Sequence, residues 1–170
     1  MRIEGYHLPR RLILPIGLDI LRGNQRSFAA DCDVMVQAMP KPPLVRGLEQ
    51  IPVSGPLALV ANHYEGPGLW IGWSAAVLTS AIAQVRPDPV PVHWLVLRDM
   101  DRGRIRGVKK LAPATSWAFE RVARAWSMAS LPGPGIPATR AVAVRTLLRL
   151  SLPPPTGRGR PVGLFPEGEF

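Results

Sequence analysis

The chain has 170 residues and a formal net charge of +9, from 21 Lys+Arg against 12 Asp+Glu. Its 20 prolines and 16 glycines make up about a fifth of it, below the roughly 25–30% that marks low-complexity disorder. Collagen, coiled coil and an acidic disordered tail are excluded, and with 46% hydrophobic residues the chain can bury a core, its length favouring one domain.

The single cysteine, Cys32, cannot form an intrachain disulfide. This excludes a secreted disulfide scaffold and favours a reducing compartment. Between Asp31 and Asp33 its thiol is held protonated rather than activated, so Cys32 reads as an ordinary small side chain. All the cations except Lys41, Lys109 and Lys110 are arginine. Arginine pairs well with phosphate, so charge alone leaves nucleic acid, anionic lipid headgroups and phosphorylated substrates open. The cations are scattered through apolar segments, and no nucleic-acid-binding motif or strip of stacked aromatic and basic residues accompanies them. No nucleic acid partner is therefore expected.

Residues 1–40 read as a leader with amphipathic stretches near 10–22 and 28–39. Arg10-Arg11 and the apolar run Leu12 to Leu18 faintly resemble a signal segment, but Asp19 interrupts the run and no small-residue cleavage site follows. The stretch suits a short helix on a membrane surface and a buried packing helix equally well. Met39 to Pro43 is a breaker and sets the boundary with a second unit, 41–170. Leu44-Val45 can open an extended strand, and Gly47 to Pro56 is turn-rich. Leu57 to Val60 predicts a short buried strand that runs into Asn62-His63.

After Gly66-Pro67-Gly68, Trp70 to Val85 predicts a helix stopped by Pro87 and Pro89. The longest apolar run, Gly68 to Ala83, falls short of the roughly 20 residues of a spanning helix. Val92 to Leu97 is a second strand, followed by a basic loop, Arg98 to Lys110. Ser116 to Met128 predicts a helix with Ser116 as N-cap, and Leu131 to Pro137 a loop. Thr139 to Leu150 predicts a helix carrying Arg140, Arg145 and Arg149. A loop from Pro153 to Arg160 leads to a third strand, Val162 to Phe165, ending in Pro166-Glu167-Gly168. Short apolar strands alternating with helices predict an α/β fold with a mostly parallel sheet flanked by helices. In such sheets sites lie at the carboxyl ends of strands, and Asn62-His63 and Glu167-Gly168 fall at two such ends.

His63 sits between a strand and a helix. A helix N-terminus keeps an imidazole neutral, as a general base requires, although a lone histidine there also suits a structural role. Glu167, between Pro166 and Gly168, is exposed by a tight turn and suits either a solvated or a binding role. His7 and His93 read as structural, and with Cys32 they make no zinc-type spacing. No phosphate-binding Gly-x-x-x-x-Gly-Lys run and no Gly-x-Ser-x-Gly elbow is present.

The stretch VRGLEQIPVSGPLALVANHYEGPGLW, Val45 to Trp70, resembles the opening block of the phospholipid/glycerol acyltransferase family, which includes glycerol-3-phosphate and lysophosphatidic acid acyltransferases. The likeness rests on the turn Gly47 to Pro52, the apolar strand Leu57 to Val60, and Asn62-His63. The end of the chain, VGLFPEGEF, is similar to the family's Phe-Pro-Glu-Gly block, here Phe165, Pro166, Glu167 and Gly168. The resemblance covers residues 41–170 and implies an acyltransferase-like αβ sandwich lacking its C-terminal part, because the chain stops inside the second block.

It implies transfer of an acyl group from acyl-CoA or acyl-carrier protein to a hydroxyl of a glycerolipid or other lipid-like acceptor. His63 would be the general base, Phe165 to Gly168 would bind substrate, and backbone amides at a helix N-terminus would stabilise the oxyanion. No metal or other cofactor is implied. The expected setting is cytoplasmic and peripheral, on an anionic membrane surface.

The family places aspartate five positions after the histidine, where this chain has Gly68; Glu65 is the nearest carboxylate. Loss of an orienting carboxylate costs about 10⁴ in rate in a serine-protease triad, so a non-catalytic lipid- or acyl-binding relative is the alternative. The family's middle arginine has no match in Trp126 to Pro132, and Glu169-Phe170 stand where its last block carries another. Sugars, lipid alcohols and other hydroxyl acceptors are thereby left open.

Overall fold

The computed structural model describes residues 7–41, 43–62, 71–86, 92–97, 112–131, 141–142, 145–146, 149 and 160–165. In chain order the elements are α1 (Arg10–Arg22), α2 (Phe28–Gln37), a single 3-10 turn (Leu48–Gln50), β1 (Leu57–Val60), α3 (Ile71–Val85), β2 (His93–Leu97), α4 (Ala112–Ala125), β3 (Ala129–Leu131) and β4 (Pro161–Leu164). Residues 141–142, 145–146 and 149 are helical, within the helix expected at 139–150. The strands form one sheet in the order β1-β4-β2-β3, with every pairing parallel. This is the α/β architecture that alternating strands and helices predict. No described helix is long and apolar enough to cross a membrane.

Local chemistry sets most element ends. Gly23 closes α1 at φ 75°, a left-handed conformation open to glycine at little cost. Its amide and that of Asn24 satisfy the last carbonyls, Ile20 and Asp19. Ser27 caps α2, its hydroxyl accepting from the Ala30 amide at 3.2 Å. The helix expected from Ser116 begins at Ala112 and ends at Ala125, so Ser116 lies inside α4 and is not its N-cap. Pro113 explains the earlier start, since a proline in the first helical turn has no bonded amide to lose.

Three further expectations change. Leu44 and Val45 join no strand, and Leu44 is exposed. Leu131, expected to open a loop, ends the three-residue strand β3. β1 is not buried on both faces: Leu57 and Leu59 are half-buried while Ala58 and Val60 are exposed. The alternation follows from the two-residue repeat of a strand, and among the described strands β1 lies at the edge, beside β4.

The core crosses the Met39–Pro43 breaker. Leu12 and Ile16 of α1 and Phe28, Cys32 and Met35 of α2 are buried in one cluster with Trp73, Ala76 and Trp94. Polar ties fix the helices around it. Arg26 grips the Asp31 carboxylate with Nε at 2.9 Å and Nη2 at 2.7 Å, and its Nη1 reaches Asp19. Trp126 Nε1 donates to the same Asp31 at 2.8 Å, joining α2 to the end of α4. Arg86, buried at the end of α3, donates to the Pro52 and Gly55 carbonyls at 2.7 and 2.6 Å. It thereby holds the turn that feeds β1.

Candidate functional site

The edge of the sheet where the strands end is built mainly by β1, β4 and β2. β1 and β4 pair in register, Leu57 opposite Pro161 through to Val60 opposite Leu164. The ladder runs one residue further, the Ala61 amide donating to the Leu164 carbonyl at 3.1 Å. The chain therefore leaves both strands side by side, through Ala61-Asn62 on one and Phe165 on the other. Neighbouring strands lie about 4.8 Å apart, so two blocks far apart in sequence start roughly one strand spacing from each other. β2 pairs on the other side of β4, His93 opposite Val162 and Trp94 opposite Gly163. Its end hands the chain to the basic segment Arg98–Lys110, which lies outside the described residues.

His63, Glu65 and Gly68 follow Asn62 directly and lie outside the described residues, as do Pro166, Glu167 and Gly168. Asn62 is exposed. Phe165 is half-buried, and its ring stacks on Trp94 with centroids 4.9 Å apart and planes 15° from parallel. Trp94 is in turn fixed by its Nε1–H, which donates to the Thr79 hydroxyl of α3 at 2.8 Å. Gly163 leaves room for the indole, since a Cβ there would stand 2.6 Å from Trp94 Cε3. Phe165 is thus braced by Trp94, which Gly163 and Thr79 hold in place. A lone glycine in an apolar strand signals such a close approach; the partners Trp94 and Thr79 carry no comparable signal in the chain.

His93 and Cys32 are engaged elsewhere. His93 lies at the amino end of β2, away from this edge, where its Nδ1–H donates to the Ser127 carbonyl at 2.9 Å. Cys32 is fully buried. Burial pushes its thiol well above its ordinary range, the Asp31 carboxylate adds to this, and a hydrogen bond with the Thr79 hydroxyl opposes it. Such a thiol is a poor nucleophile. His7 is exposed. Among the described residues no cluster of histidine, cysteine, aspartate and glutamate is placed to hold a metal ion.

An all-parallel sheet collects the ends of its strands on one edge, where α/β proteins bind ligands. Here the described chain reaches that edge at Asn62, Leu97 and Phe165. Comparison with family models, with curated proteins and with solved structures found no match to the chain.

Proposed function

We propose that the chain transfers an acyl group from acyl-CoA or acyl-carrier protein to a hydroxyl of a glycerolipid or other lipid-like acceptor, on an acyltransferase-like αβ sandwich. One observation carries the reading. The in-register pairing of β1 with β4 starts the Asn62-His63 segment and the Phe165-Pro166-Glu167-Gly168 segment on adjacent strands of one edge. A two-block site needs that juxtaposition, and the motifs alone supply only their order along the chain.

In the proposed reaction His63 takes the proton of the acceptor hydroxyl as general base. The acceptor oxygen attacks the thioester carbonyl, the C–S bond breaks, and the imidazolium returns its proton to the departing thiolate. Glu167 holds the acceptor. Glu65, two positions from His63, is the carboxylate available to orient the ring. No covalent enzyme intermediate and no cofactor take part.

The test is release of thiol from palmitoyl-CoA by the chain, with monoacylglycerol, lysophospholipid or a sugar lipid as acceptor and mass detection of the ester. Acceptor-dependent release with matching ester supports the reading; release without ester, or none, contradicts it.

Gly68 in place of the family's aspartate favours a second reading, a non-catalytic lipid- or acyl-binding relative. On that reading both the unmodified chain and Gly68→Asp bind palmitoyl-CoA without turnover. Turnover by the unmodified chain removes it.

A further inference from the structure

The geometry points to the outer face of α1 as a docking surface for an anionic lipid bilayer. The inference rests on this surface alone and is independent of the chemistry proposed at the sheet edge. α1 buries Leu12 and Ile16 in the core. Two residues along a helix turn a side chain by about 200°, so Leu14, two from each of them, projects from the opposite side. Leu21, seven residues on, shares its face. Leu14 is 69% exposed, Leu21 64% and Ile13 52%, and Leu18 is exposed beside them. A helix that only packs on a core is polar at this pole.

The cations flank that pole. Arg10, Arg11 and Arg22 of α1 are exposed, while the helix's one carboxylate, Asp19, is engaged by Asn24 and Arg26. At the C-terminal end of α1, Arg121 donates to the Ile20 and Leu21 carbonyls at 3.0 and 2.9 Å. The same guanidinium lies 4.8 Å from the ring centre of Trp117, a residue that is 50% exposed. A leucine pole, a tryptophan at its end and flanking arginines suit the boundary between acyl chains and anionic headgroups. Charge complementarity selects this occupant over a second copy. Self-pairing would set Arg10, Arg11 and Arg22 against their own kind, with Asp19 already taken, and like charges across an interface repel.

The test is flotation of the chain with vesicles of phosphatidylcholine alone or mixed in equal parts with phosphatidylglycerol. Two double variants accompany it, Leu14→Ser with Leu21→Ser and Arg10→Gln with Arg11→Gln. Both change exposed positions, and unchanged thermal melting checks that the fold is kept. The chain floats with the anionic vesicles, and added salt weakens the binding. The leucine pair weakens it by about tenfold per residue, and the arginine pair by about fivefold per residue. Three results each overturn the proposal: no flotation, flotation untouched by the leucine pair, or a concentration-dependent dimer that the leucine pair abolishes without flotation.

Discussion

Gly163 lies opposite Trp94 in the β2–β4 ladder, and a Cβ at Gly163 would meet the indole at 2.6 Å. The neighbour is no flexible tip. It is a buried ring held by Thr79 and stacked on Phe165, so it cannot give way cheaply. Gly163→Ala is expected to cost about 2 kcal/mol, as overpacking of a tight core does. In a Trp94→Leu background the same change costs about 1 kcal/mol less, because the clash is gone. Urea unfolding of the four chains of this cycle checks both numbers.

Arg26 and Asp31 form a two-pronged ion pair, with Asp31 side-chain exposure only 6%. Arg26→Ala strands that carboxylate with Trp126 Nε1 as its remaining side-chain donor among the described residues, and a loss of about 3 kcal/mol follows. Asp19 on the other side of Arg26 is half-buried, and its carboxyl is held below the usual range by hydrogen bonds from Asn24 and then Arg26. A depressed carboxyl stabilises the fold above its unfolded value of 3.8 and loses that effect as pH falls through the lower folded value. The urea midpoint of Asp19→Asn therefore lies below that of the unmodified chain at neutral pH, and the gap closes in strong acid.

Cys32 titrates with the opposite sign. Unfolded, its thiol ionises near 9.0; folded, burial holds it protonated well above that. Its contribution to stability is full below pH 9 and declines as pH rises beyond it. Replacing the thiol by Cys32→Ala flattens the alkaline fall in stability relative to the unmodified chain. The native protein also resists thiol reagents until it is unfolded, which measurement of thiol modification with and without urea tests.

Ser127 stands at φ 54° just past the end of α4. Its amide and that of Met128 close the helix onto the Arg124 and Ala123 carbonyls, the arrangement that usually employs glycine. A left-handed non-glycine residue costs roughly 1–2 kcal/mol, and glycine returns about 0.4–1 kcal/mol of that through unfolded-chain entropy. Ser127→Gly is thus expected to stabilise by about 0.5 kcal/mol net. The His93 bond, which uses the Ser127 carbonyl, survives the change. A small rise in melting temperature is the readout.

Periodicity and breakers place α1, α2, α3, β1, β2 and β4 close to their observed ends, because each is an apolar segment bounded by Pro, Gly or a capping serine. β3 is not legible: Ala129-Ser130-Leu131 is too short to show a repeat, and it exists by pairing with β2. The beginning of α4 is misjudged when Ser116 is weighted over Pro113. The ties made by Arg26, Arg86 and Arg121 are equally silent in the chain, since their partners are brought in by tertiary packing. At the candidate site, the motifs announce two strand ends in order, and only the sheet topology sets β4 beside β1. Gly163 alone hints at the packing beneath it.

The central claim is that His63 acts as the base in acyl transfer at the edge shared by β1 and β4. The most direct measurement is the initial rate of acceptor-dependent thiol release from palmitoyl-CoA by the unmodified chain and by His63→Ala at matched folding. Loss of a general base predicts a fall in kcat of about 10²–10⁴. Equal kcat for the two chains contradicts the account.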